Sequence, residues 1–110
     1  MVSATEWGNA IDLAVNPETP GYVLADIATI RNNDLRAIIA SHDNVLPQTL
    51  ELLANAKSKH LRARVARQPK TPRRTLEMLA ADQKKMVRRA VLENPSAHDE
   101  AKTLAALIGV

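Results

Sequence analysis

Apolar residues recur along this chain at i, i+3 and i+4 in short bursts broken by proline, asparagine and aspartate, and the bursts return every 26 residues without a gap. One column holds Ala14, Ala40, Ala66 and Leu92, and another holds Leu24, Leu50 and Leu76. Ile27, Leu53 and Leu79 form a third, followed directly by Ala28, Ala54, Ala80 and Ala106. Then come Leu35, Leu61 and Val87, next Arg36, Arg62 and Arg88, and finally Ile39, Val65 and Val91. The short period predicts helices. The long one predicts a stacked array in which no unit can bury its apolar face alone.

The unit is clearest between residues 66 and 91. Thr71-Pro72 predicts a helix start, with the threonine hydroxyl serving a free N–H and the proline having none to lose. From Arg73 to Ala81, the residues Leu76, Leu79 and Ala80 line one face. Asp82 is placed to cap a second helix over Gln83 to Glu93, where Val87, Ala90 and Val91 line one face. Asn94-Pro95 ends it, because the residue before a proline is driven out of the α region. The first unit repeats this plan through Thr19-Pro20, then Val23, Leu24, Ile27 and Ala28, then Leu35, Ile38 and Ile39. The second opens irregularly at His42-Asp43-Asn44-Val45-Leu46-Pro47 but keeps Leu50, Leu53, Leu61 and Val65.

An all-α fold of about seven or eight short helices without a sheet follows, as one domain over residues 1–110. Residues 1–13 read as an N-terminal cap helix, residues 14–39, 40–65 and 66–91 as repeats, and residues 92–110 as a C-terminal cap. Ser3 and Glu6 have capping-box spacing, and Trp7, Ala10, Ile11 and Ala14 line one face, with Trp7 as an end filler. In the last unit Lys102 takes the Leu24 column and the stripe moves to Ala101, Leu104, Ala105 and Ile108. Terminal units with a polar outer side are expected to close the array.

Composition narrows the function. There is no Phe, one Tyr and one Trp, too little aromatic surface for a base-stacking platform or an ordinary enzyme pocket. The absence of cysteine excludes disulfides, thiolate metal sites and thiol catalysis. His42, His60 and His98 have no partner at ligand spacing and read as surface residues, so no metal or cofactor is expected. No glycine-rich phosphate loop or nucleophile–base pattern stands out, and an enzyme is not expected. The N-terminus lacks the basic and apolar regions of a secretory signal. No apolar run approaches the roughly 20 residues of a membrane span. A cytoplasmic protein without a membrane partner is the expectation.

The net charge of +3 conceals a strong asymmetry. Residues 1–56 carry −5, residues 57–91 carry +10 and residues 92–110 carry −2. A cationic block between acidic ends suits an acidic partner or a phosphate backbone.

The run Gln68-Pro69-Lys70-Thr71-Pro72, then Leu76-x-x-Leu79-Ala80-x-Asp82, then Val87-Arg88-Arg89-Ala90-Val91 resembles the leucine-rich variant repeat. Asn16-Pro17-Glu18-Thr19-Pro20 matches the opening of that motif fully, and Leu61-Arg62-Ala63-Arg64-Val65-Ala66 matches its end. The resemblance covers about residues 14–106. It implies a right-handed α-solenoid of short paired helices, broadly similar to HEAT and armadillo arrays, with about four 26-residue units and terminal caps. The family's founding type holds an iron–sulfur cluster on N-terminal cysteines, which a chain without cysteine cannot provide. The family implies no single activity, so function rests on the surface.

Two groups of cations are candidates for partner binding. Arg36, Arg62 and Arg88, with Lys59 and Lys85 three residues before the last two, could stack into a ladder facing phosphates or carboxylates. The alternative is that this column bonds acidic groups or carbonyls of a neighbouring repeat. Arg64, Arg67, Lys70, Arg73 and Arg74 form the second group, on the other flank of the Leu61 and Val65 stripe. The expected function is a non-catalytic protein–protein interaction module that binds an acidic protein surface. The alternatives are sequence-independent nucleic-acid binding and a self-assembling scaffold, with the protein a monomer or weakly self-associating. The expected partner-binding residues are Lys59, Arg62, Arg64, Arg67, Arg73, Arg74, Lys85 and Arg88.

Overall fold

Eight helices follow one another among the described residues of the computed structural model, which covers residues 4–110 and the side chains from residue 9 onward. They are α1 (Ala4–Val15), α2 (Gly21–Ile27), α3 (Asn33–Ala40), α4 (Pro47–Leu53), α5 (Lys59–Arg67), α6 (Arg73–Ala80), α7 (Lys85–Glu93) and α8 (Asp99–Ile108). No strand occurs among these residues. The expected Ser3–Glu6 capping box and the Trp7 filler lie outside the described residues and side chains.

The odd-numbered helices stack side by side, α1 on α3, α3 on α5 and α5 on α7, while α2 packs on α1, α4 and α6 pack on both sequence neighbours, and α8 packs on α7 and α6. This gives a two-layered helical repeat array measuring 46 × 23 × 17 Å. The sequence columns are its core. Leu24, Leu50 and Leu76 are buried, as are Leu35, Leu61, Val87, Ile39, Val65 and Val91. Ala28, Ala54 and Ala80 let successive helices approach closely, but Ala106 in the same column is exposed. The last unit instead buries Ala101 and Ala105. Its expected stripe is only half realised, since Leu104 is half-buried while Ile108 and Leu107 face outward, Leu107 at 79% exposure.

The helix starts also differ from expectation. Thr71 is not a cap: α6 begins at Arg73 with Pro72 at the cap position and no side-chain cap bond. The Thr71 hydroxyl instead donates to the Val65 carbonyl at 2.6 Å, and Thr19 does the same to Leu13 at 2.5 Å. A hydroxyl six residues past a carbonyl thus closes the preceding helix end, whose last carbonyls lack partners in the helix. Asp82 does not cap α7, which starts at Lys85 behind Lys84. Asn32 and Ser58 do cap, accepting from the N–H groups of Leu35 and Leu61.

A second column runs through the turns. Asn94 donates to the carbonyls of Ala66 and Gln68 at 2.8 and 3.0 Å, and Gln68 donates to those of Ala40 and His42 at 2.8 and 3.3 Å. His42 Nε2 donates to the Asn16 carbonyl at 2.8 Å while its Nδ1 accepts from the Asn44 N–H. These two bonds select the neutral Nε2–H tautomer. The residues Asn16, His42, Gln68 and Asn94 stand 26 apart, and the last three stitch each unit to the one before it. His42 is therefore buried inside a polar ladder and is not the surface histidine expected from its spacing. His98 is half-buried against Glu77, and His60 alone of the three is exposed. Gly21 is also required at its junction: a Cβ there would lie 2.5 Å from the Asn44 carbonyl oxygen.

Candidate functional site

The cations of the central block divide between two edges of the array. Helix α5 has Lys59 at its start and Arg67 at its end, so the two lie about 12 Å apart along the axis. On the Lys59 edge stands the arginine column, and its guanidiniums are used within the fold. Arg36 Nε donates to the Ala28 carbonyl at 2.9 Å. Arg88 donates to the carbonyls of Gly109 and Asp82, both at 2.7 Å. Arg62 donates to the carbonyls of Ala56 and Lys57 and makes a two-point pair with the Asp82 carboxylate at 2.8 and 3.1 Å. Ala28 and Gly109 are the C-cap residues of α2 and α8, and Ala56, Lys57 and Asp82 lie in the turns after α4 and α6, so these cations serve carbonyls that no helix ladder satisfies. Of the expected ladder, Arg62 and Arg88 thus serve to lock neighbouring turns, and Lys59 and Lys85 stand exposed beside them at the starts of α5 and α7.

The Arg62–Asp82 pair is mostly shielded, with side-chain exposures of 15% and 11%. Burial pushes the Asp82 carboxyl up, but the hydrogen bonds from Arg62 and the Lys84 N–H, with the charges of Arg62 and Arg88, outweigh it and hold the carboxyl below its ordinary value. A folded-state value below the unfolded one contributes stability at neutral pH that is lost as pH falls through the folded value. Melting temperature is therefore expected to fall as pH drops below about 4. In Asp82→Asn, melting temperature should be lower at neutral pH and the fall on acidification smaller. An acid profile identical to that of the parent would remove Asp82 from this role.

The second group stands on the opposite edge, where odd helices end and even helices begin. Arg64 is exposed on α5 with its guanidinium 3.2 Å from the Ser41 hydroxyl. Arg67 pairs with Glu93 at 3.3 Å, both half-exposed, and the Lys70 ammonium rests on the Asp43 carbonyl. Arg73 contacts Glu77 and Glu100 at 3.6 and 3.2 Å. Arg74 is exposed, with no ion pair among the described residues. Arg64, Arg67 and Lys70 line a groove of about 470 Å³ with Ser41, Asp43, Gln68 and Pro69. A second hollow of about 420 Å³ shares Ser41, Asp43 and Arg64 with the first and continues it to Ile38, Pro17, Val15 and Ala14. One trough therefore crosses the ends of α1, α3 and α5, apolar at one end and cationic at the other.

Of the eight candidate residues, the fold brings Arg64, Arg67, Arg73 and Arg74 to this edge and Lys59, Arg62, Lys85 and Arg88 to the other. Lys70 belongs with Arg64 and Arg67, and Val15, Ile38 and Ser41 complete the trough without any sequence signal of their own beyond variation within their columns. Compared with known protein families, curated proteins and solved structures, the chain matches none. No helix among the described residues is long and apolar enough to cross a membrane.

Proposed function

We propose that this chain is a leucine-rich-variant-like repeat module that acts without catalysis, docking an acidic segment of another protein on the Arg64–Arg67–Lys70–Arg74 edge. The observation that carries this reading is the division of the cations. The arginine column spends its hydrogens on carbonyls and Asp82, while Arg64, Arg67 and Lys70 line a trough and Arg74 stands exposed on the same edge.

Helix-end electrostatics support the same reading. Arg73 and Arg74 open α6, which has no acidic residue in its first turn. Cations at a helix N-terminus oppose the macrodipole, at about 0.3–1 kcal/mol each when exposed. Glu77 and Glu100 offset this for Arg73. For Arg74 an incoming carboxylate would supply the missing negative charge. The nucleic-acid alternative is weaker, because the cations lie on two separated edges. The exposed Tyr22 sits on α2, outside the residues that line the trough.

Binding of a labelled glutamate-rich peptide, followed by fluorescence anisotropy at physiological salt, tests the proposal. Arg64→Glu or Arg74→Glu should weaken binding at least tenfold, since like-charge juxtaposition at an interface costs several kcal/mol. Both variants should keep the parent stability to within about 0.5 kcal/mol, as exposed substitutions do. Unchanged affinity in both variants, or tighter binding of mixed-sequence DNA than of the peptide, would overturn the proposal.

A further inference from the structure

The trough has two chemically different halves, and that asymmetry says more about the ligand than charge alone. At the α1 end its walls are Ala14, Val15, Pro17 and Ile38, with His42 at the side. Val15 is 58% exposed at the last turn of α1, with its apolar surface turned to solvent. At the α5 end the walls carry Arg64, Arg67 and Lys70 against a single carboxylate, Asp43. The two halves are joined through Ser41, Asp43 and Arg64.

We infer that the trough takes a short, extended peptide with an aliphatic side chain at the Val15–Pro17–Ile38 end and carboxylates at the Arg64–Arg67–Lys70 end. This rests on the docking function proposed above and specifies its ligand. The length follows from the packing. The trough crosses from α1 past α3 to α5, two helix-to-helix steps of about 8–10 Å each. An extended chain advances about 3.3 Å per residue, so about six residues separate the apolar contact from the far carboxylate.

The two contacts do different work. Two arginines in the cationic half can each meet a carboxylate with paired hydrogen bonds, and Glu93 is the group a ligand carboxylate would displace from Arg67. That contact is salt-sensitive. Burial of an aliphatic side chain against Val15 and Pro17 is not, and it distinguishes one acidic peptide from another. The column containing Arg64 changes character along the array, from Asp12 through Ile38 and Arg64 to Ala90, so the peptide has one register on it.

The test uses labelled seven-residue peptides with leucine at one end and three glutamates at the other, made in both chain directions, with leucine-to-serine counterparts. Affinities are read by anisotropy against the parent, Val15→Ser and Arg64→Gln proteins, and circular dichroism checks that each variant retains its helices. In one chain direction the leucine peptide should bind at least fivefold tighter than its serine counterpart. Val15→Ser should abolish that preference while leaving the serine peptide unaffected, and Arg64→Gln should weaken both peptides. If leucine and serine peptides bind equally to the parent and both weaken with Arg64→Gln, the inference fails while charge-driven docking stands. If neither peptide binds the parent, both fail.

Discussion

Leu50→Ala and Leu76→Ala should each lower stability by about 2–5 kcal/mol, the range for deleting most of a buried leucine side chain and leaving a cavity. Both residues are almost wholly buried in the column that packs even helices onto the array. Both belong to one continuous core of alanine, valine, leucine and isoleucine side chains, and such a core closes only in part over a cavity. A domain of this size has about 5–15 kcal/mol in total, and 1 kcal/mol corresponds to roughly 4–8 °C in melting temperature. Thermal circular dichroism should therefore show either variant melting roughly 10 °C or more below the parent. An unchanged melting temperature would mean that the 26-residue leucine column is not what holds the units together.

The second large effect belongs to the polar ladder. Asn94 is fully buried, donates to two carbonyls of the preceding unit and accepts from the Ser96 N–H at 2.8 Å. Asn94→Ala would leave the Ala66 carbonyl and the Ser96 N–H without this partner, while the Gln68 carbonyl keeps the Thr71 N–H, and a buried polar group left unmade costs about 1–3 kcal/mol. Water reaching part of the gap would limit the total, so a loss of about 2–4 kcal/mol is expected in chemical denaturation. His42→Asn is the control. Asparagine already stands in this column at positions 16 and 94, and its amide can donate where the imidazole does, so the change should cost about 1 kcal/mol or less. Equal losses in the two variants would show that the column is held by shape and not by donation.

The helices were legible in the sequence because their apolar positions obey two periods at once, and Leu24, Leu50 and Leu76 occupy the same place in three units. The ladder was equally periodic but was hidden, because asparagine, histidine and glutamine differ in shape and share an N–H for a neighbouring carbonyl and an acceptor for the N–H two residues on. His42 looked like a loop histidine for that reason. Thr19 and Thr71 were misread because threonine before proline has the form of a cap, whereas the free carbonyl six residues earlier offers the hydroxyl a buried partner.

The site was legible only in outline. Charge along the chain located the cationic block, and the helical wheel placed Arg62 and Arg64 on opposite flanks. Which of them remains accessible depends on carbonyls and an aspartate brought in by other turns: Arg62 meets Asp82, twenty residues away, while Arg64 meets only a serine hydroxyl. The apolar half of the trough left no pattern, since Val15 and Ile38 come together only through the stacking of α1 on α3.

Titration of the isotopically labelled protein with a leucine- and glutamate-containing peptide, followed amide by amide in heteronuclear NMR spectra at physiological salt, tests the docking edge most directly. The amides within residues 14–16, 38–43 and 64–74, prolines apart, should shift together and saturate with one affinity, while those around Lys59 and Lys85 stay unmoved. Shifts confined to the Lys59 and Lys85 edge, or shifts that vanish at physiological salt and return only with DNA, would contradict it.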